Sequence, residues 1–235
     1  FRQWTRLRPE DPLSHVALGA ALLALGESSE ARAEFSEAKR LKPKDWMVRD
    51  QIALAFSDRG DWDAAIREQG EAVRLFPGMG VAHKALAHAL QSAGRLGEAV
   101  AEFREAVRLD PRISASHLFL ARALIEAGEP HAALEALARI GPGPPPDPFI
   151  TPEMLASRAE ELIALEPRLP AVMKGCETPA NAEEAASFAR LAFARDQPEA
   201  AARLWTGAFA ASPELAADLV AMNRFRAACA AVRAG

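Results

Sequence analysis

The feature that most constrains the fold is a set of residues that recurs every 34 positions. One column consists of glycines and a second of alanines: Gly26, Gly60, Gly94 and Gly128, then Ala31, Ala65, Ala99 and Ala133. Three further columns keep the same step and begin at Ala38, Leu41 and Pro43. Self-similarity at this period predicts a supersecondary unit that is repeated along the chain and stacks on its neighbours.

The residue type in each column predicts a helix hairpin. A glycine allows the left-handed turn between two antiparallel helices, and a small alanine permits their close approach. A proline ends each second helix, because the residue before a proline is pushed out of helical geometry. Apolar residues fill the remaining core columns: Leu18, Ile52, Leu86 and Leu120 in the first helices, and Phe35, Phe103 and Leu137 in the second helices, where Gln69 is the exception.

These columns resemble the tetratricopeptide repeat, over residues 12–140 without a gap. The resemblance gives four repeats, at 12–45, 46–79, 80–113 and 114–140. It implies an all-α fold in which antiparallel hairpins stack into a right-handed superhelical solenoid. It also implies a concave groove, lined by the first helices, that holds an extended peptide or a partner helix.

The flanking segments depart from this regular spacing. Residues 1–11 match the second helix of a preceding repeat, so we expect the chain to be a fragment of a longer protein. Residues 141–150 are rich in proline and glycine and predict a stiff linker, with a polyproline ligand as the alternative interpretation. Residues 151–181 predict connecting helices, and residues 182–235 a degenerate fifth repeat followed by the first helix of a sixth.

The second half carries a more specific resemblance. Its runs at 164–172, 188–191, 200–205 and 224–231 are similar to the C-terminal repeat region of planctomycete-type bacterial serine/threonine protein kinases. That family usually has tyrosine and asparagine where this chain has Phe225 and Arg226. The resemblance implies a kinase-associated context.

No motif predicts catalysis. The chain lacks a phosphate-binding loop, the kinase catalytic motifs, a zinc-protease helix and a nucleophile elbow, so we expect a protein that is not an enzyme and needs no cofactor or metal. His15, His83 and His117 share one repeat column, but stacked hairpins separate equivalent positions by roughly 10 Å, too far for one metal ion. We therefore interpret these histidines as packing residues.

Composition limits the class of partner. The net charge of −4 argues against nucleic acid, which normally selects a basic surface. The longest apolar run, at 16–25, is too short for a membrane span. Two cysteines in unrelated surroundings, Cys176 and Cys229, predict free thiols and a cytoplasmic location. The expected partner is a protein or peptide, and uncapped ends would allow homo-oligomers.

From the alignment of the repeats, we expect the groove to be lined by first-helix residues that point away from the second helices. These are Val16, Ala20, Leu23, Asp50, Leu54, Asp58, Lys84, His88, Gln91, Leu118, Arg122 and Ile125, a series that runs from apolar through acidic to basic. The asparagines of the related chaperone-adaptor carboxylate clamp are absent, because Ala20, Leu54 and His88 occupy their places. Lys84, His88 and Arg122 could still receive an acidic group.

Three functions fit these features. The first is a scaffold that binds a peptide or protein partner, within a larger kinase-associated protein. The second is a regulatory or sensor segment for a catalytic domain outside this chain. The third is a structural spacer or oligomerisation element. An exposed apolar groove would favour the first, a groove filled by the proline-rich loop the second, and symmetric burial of a terminal repeat the third.

Overall fold

A computed structural model describes residue 5 and residues 7–141 and 149–212. These residues form helices and connecting turns with no β-strand among them, so the predicted all-α fold class is confirmed. The helices are α1 (Pro12–Ala24), α2 (Ser28–Leu41), α3 (Trp46–Ser57), α4 (Trp62–Leu75), α5 (Gly80–Ser92), α6 (Leu96–Leu109), α7 (Ser114–Ala127), α8 (Pro130–Leu137), α9 (Pro152–Leu165), α10 (Leu169–Met173), α11 (Ala182–Ala194) and α12 (Pro198–Ala211), with a 3₁₀ turn at Glu166–Arg168.

The chain divides into two units. The first comprises residues 1–93 and 108–110, and the second comprises residues 94–107 and 111–235. Helices α1–α5 therefore belong to the first unit, and α7–α12 belong to the second together with most of α6.

The first unit is built from two complete hairpins and the helix that follows them. Helix α1 packs on α2 and α3, α3 packs on α4, and α4 packs on α5. Its core places the Phe35 and Phe56 rings edge to face, 5.4 Å apart between centroids, beside the buried Ile52. The column alanines Ala31 and Ala65 are fully buried, which permits the close approach of paired helices that the sequence predicted.

Local capping explains where several helices begin and end. Asp11, Asp45 and Asp61 each accept a hydrogen bond from a backbone N–H of the first turn of α1, α3 and α4. Gly26 and Gly60 follow α1 and α3 with φ of 86° and 73°. This left-handed conformation, which only glycine adopts without strain, confirms the predicted role of the glycine column.

The second unit combines the α7–α8 hairpin with the helices after the proline-rich segment. Thr151 caps α9 by accepting from the Met154 N–H, and α9 packs on both α7 and α8. The α11–α12 hairpin follows, and α11 contacts α7, α9 and α10. Trp205 of α12 is almost completely buried in this hairpin beside Ala185 and Ala189.

Several sequence predictions concern residues outside the described ranges. They include the preceding-repeat remnant at 1–4, most of the proline-rich linker, the sixth-repeat helix, Phe225, Arg226 and Cys229. Within the described ranges, Cys176 is an exposed free thiol. No described helix is both long and apolar enough to cross a membrane, and no three metal-binding side chains cluster among the described residues.

Candidate groove in the first unit

The first unit contains an open cavity of about 410 Å³ that is lined by residues of α3, α4 and α5. Residues spaced three or four apart line it, because such residues share one helix face. Helix α3 contributes Trp46, Asp50, Leu54 and Ser57; α4 contributes Trp62 and Gln69; and α5 contributes Val81, Lys84, Ala85, His88, Ala89 and Ser92.

A polar pair, the buried Gln69 and the half-buried Asp50, forms part of the lining. Gln69 is only 3% exposed, and its Nε2 donates a hydrogen bond of 2.7 Å to Asp50 Oδ1. The other amide atom, Gln69 Oε1, is buried and accepts no hydrogen bond from any described residue. A buried acceptor without a donor costs about 1–3 kcal/mol of stability.

The walls of the cavity are apolar with charges of both signs. Leu54 and Val81 are 48% and 39% exposed, so both leave apolar surface open in the cavity. Trp46 and Trp62 are half-buried and lie at the first residues of α3 and α4. Asp50 and Lys84 add one negative and one positive charge at equivalent positions of successive repeats.

The structure therefore brings together four of the predicted groove residues, Asp50, Leu54, Lys84 and His88. The other predicted residues of the first unit do not line this cavity. Val16, Leu23 and Gln91 are buried, and Ala20 packs against the apolar core. Asp58 is exposed at the C-terminal end of α3.

The predicted groove residues of the second unit do not offer an open surface. Leu118 and Ile125 are buried, because α7 is packed by α9 and α11 in addition to its partner α8. Arg122 lies over the Phe119 ring at 5.8 Å, and its Nε is 4.0 Å from Glu126 Oε1. The repeat spacing could not predict that α9 and α11 cover α7, because both helices come after the segment where the 34-residue spacing breaks.

Sequence reasoning missed the two tryptophans and the role of Gln69. Trp46 and Trp62 hold no core column, so the repeat pattern gave no reason to select them. Gln69 did carry a signal, because it replaces the large apolar residue found at Phe35, Phe103 and Leu137.

The histidine column is a set of structural hydrogen bonds. The Nε2 atoms of His15, His83 and His117 lie 2.9, 3.1 and 3.1 Å from the carbonyl oxygens of Pro9, Pro77 and Pro111. A carbonyl oxygen can only accept, so each ring donates from Nε2 and ties its helix to the proline that precedes it.

The second ring nitrogen of His15 contacts a carboxylate on the paired helix. His15 Nδ1 lies 2.7 Å from Glu34 Oε2 on the paired helix α2. Burial lowers the pKa of His15, but the hydrogen bond to Glu34 and the Pro9 carbonyl outweigh burial, so the pKa is raised above 6.5. The contact with Glu34 therefore favours the charged form of His15 relative to a free imidazole.

Comparison with known proteins identifies the repeat. Two family models, both described as tetratricopeptide repeat, match the chain, one over residues 1–45 and 51–112 and the other over residues 90–148. Together they cover more than half of the sequence. No curated protein matches the chain.

Solved structures are similar to this chain at low sequence identity. A chain of the APC/C hetero-tetramer Cut9–Hcn1 is 18% identical with a TM-score of 0.51, over 97% of this chain and 44% of that chain. A thermophilic TPR protein of Thermus thermophilus is 20% identical with a TM-score of 0.42, over 94% and 99% of the two chains. MamA from Desulfovibrio magneticus RS-1 is 22% identical with a TM-score of 0.47, over 59% and 78%.

Proposed function

We propose a function from the premise that this chain belongs to the tetratricopeptide repeat family: it is a protein-binding scaffold whose α3–α5 cavity receives a peptide segment of a partner protein. Tetratricopeptide repeats are commonly protein–protein interaction modules. The observation that carries the proposal is the open cavity on the first helices of the second and third repeats, lined by half-exposed apolar side chains.

The dimensions and chemistry of the cavity favour a peptide. Its residues follow α3 from Trp46 to Ser57, a length of about 17 Å at 1.5 Å per residue, which matches several residues of an extended chain. Leu54 and Val81 can bury a partner side chain, an interaction of about 1.5–3 kcal/mol for a fully buried large apolar group. Asp50 and Lys84 can fix the register of the peptide through its polar groups.

A pair of matched variants tests this proposal. Leu54→Glu combined with Lys84→Glu changes the cavity, whereas Arg32→Glu combined with Ala33→Glu makes the same net charge change at exposed positions of α2. We expect a partner captured from a lysate of the source cells to be retained by the wild type and the α2 variant, and lost by the cavity variant. Retention of the partner by both variants would place the binding surface elsewhere.

The identity of the captured partner separates the functional alternatives. Recovery of a segment of the same polypeptide would support the regulatory function, and recovery of a second copy of this chain would support assembly.

A kinase-associated role and a cytoplasmic location are further parts of the proposal. The kinase context rests on the resemblance of the runs at 164–172 and 200–205, and capture of a kinase or its substrate would support it.

A further inference from the structure

Two opposite charges line the α3–α5 cavity without an ionic partner. Asp50 of α3 and Lys84 of α5 are both half-buried residues of its lining. Among the described residues neither forms an ion pair, and the polar contact that Asp50 makes there is the hydrogen bond from Gln69. The cavity therefore presents one negative and one positive charge to whatever enters it.

Neighbouring charged side chains of the same unit are paired. Lys39 of α2 and Arg49 of α3 contact the two carboxylate oxygens of Glu68 at 2.6 and 3.0 Å. Adjacent positions of α3 thus differ, because Arg49 has its partner inside the fold whereas Asp50 lines the cavity. A half-buried charge has lost part of its hydration, so an opposite charge supplied by a ligand would stabilise the bound state.

Both charged groups keep accessible surface. Asp50 Oδ1 accepts from Gln69 Nε2, whereas Oδ2 has no hydrogen-bond partner among the described residues and is not one of their fully buried polar atoms. The same holds for Lys84 Nζ. A ligand in the cavity can therefore contact Asp50 Oδ2 and the Lys84 ammonium.

The two charges lie on different helices of the cavity lining. Asp50 and Lys84 occupy equivalent positions of successive repeats, on α3 and α5. Equivalent positions of stacked hairpins are about 10 Å apart, so one small ionic group is too short to contact both. An extended peptide points successive side chains to opposite sides, so two adjacent residues can contact the two helices.

We propose that the cavity selects peptides with two adjacent residues of opposite charge, a basic residue that contacts Asp50 and an acidic residue that contacts Lys84. Two acidic residues would bring one carboxylate to Asp50, and two basic residues would bring one cation to Lys84, so like-charged pairs are disfavoured. This inference rests on the proposed function, because it names the side chains that the α3–α5 cavity selects in its partner.

The test uses random peptides and the whole chain. A phage-displayed random-peptide library is selected on the wild-type protein, and an enriched peptide is synthesised unchanged and with glutamine in place of the basic residue, the acidic residue or both. Affinities are measured by fluorescence polarisation on the wild type, Asp50→Asn, Lys84→Gln and Arg32→Gln. Asparagine keeps the oxygen that accepts from Gln69, so Asp50→Asn should fold. Arg32 is exposed on α2, so its variant controls for the loss of one positive charge.

We expect an adjacent pair of opposite charges in the enriched peptides, with about 3- to 10-fold weaker binding to the wild type for each single glutamine replacement. On Asp50→Asn, replacing the basic residue should no longer weaken binding, while replacing the acidic residue still should. Lys84→Gln should show the reverse, and Arg32→Gln should behave as the wild type.

Two different failures can be told apart. Enrichment of neutral or like-charged residues, or equal effects of the replacements on the wild type, Asp50→Asn and Lys84→Gln, would overturn the inference while leaving peptide binding intact. If no peptide is enriched, or if the enriched peptides bind Leu54→Glu as tightly as the wild type, the proposed function is overturned and the inference with it.

Discussion

Gly128 shows how a single column residue meets two constraints at once. It ends α7 with a left-handed φ of 79°, as the column predicted, and its Cα also faces the backbone of α11. A Cβ at this position would lie 2.6 Å from the Arg190 carbonyl oxygen and 2.9 Å from Ala194 Cβ. Gly60 has a similar φ of 73°, but a Cβ there would meet nothing within 4 Å.

Alanine substitution at these two glycines should therefore give unequal losses of stability. Gly60→Ala incurs only the cost of the left-handed backbone, about 1–2 kcal/mol. Gly128→Ala adds a collision with backbone that cannot move aside, and should cost at least about 3 kcal/mol in total. Urea denaturation of both variants measures the difference. Equal losses would contradict the close packing of Gly128 on α11.

The His15–Glu34 pair makes the first unit sensitive to pH. Since the pKa of His15 is raised in the folded state, its contribution to stability is complete below about 6.5 and is lost as the pH rises through the higher folded value. We predict that thermal stability falls as the pH rises above about 6.5, and by more in the wild type than in Glu34→Gln. A Glu34→Gln variant with the same pH profile as the wild type would show that the pair has no such role.

The turn between α11 and α12 supports our interpretation of that hairpin as a degenerate repeat. Asp196 occupies the position of the column glycine, counted in steps of 34 from Gly26, and has a left-handed φ of 54°. Ala201 and Trp205 follow at the offsets of Ala31 and Phe35, and both are buried. The element keeps the geometry of the repeat although its glycine is missing.

Restoring glycine at this turn should stabilise the second unit. Asp196→Gly removes the cost of a left-handed conformation in a residue with a side chain, and we expect a gain of about 0.5–1 kcal/mol. Asp58→Gly is the matched control, because Asp58 follows α3 with a right-handed φ of −60° and should lose stability instead. Differential scanning calorimetry can compare the two. A loss for Asp196→Gly would mean that the aspartate side chain itself holds the turn.

At the scale of the whole molecule, the elements that could be predicted are those that keep the 34-residue repeat spacing. The α1–α2, α3–α4 and α7–α8 hairpins, their glycine turns and their buried alanines depend on local residue types at fixed offsets, so the sequence was sufficient for them. The burial of Leu118 and Ile125 was not predictable, since it depends on how α9 and α11 pack after the period is broken. In the candidate site, Asp50 and Lys84 followed from register, whereas Trp46 and Trp62 did not.

The most direct test of peptide binding in the α3–α5 cavity is site-specific photo-crosslinking. A photoreactive amino acid is placed at Leu54 inside the cavity, or at Ala33 on the exposed part of α2, and the products formed with the captured partner are identified by mass spectrometry. We predict crosslinks from position 54 to one short partner segment, and none to that segment from position 33. Crosslinks from position 33 with none from position 54 would contradict the proposed site.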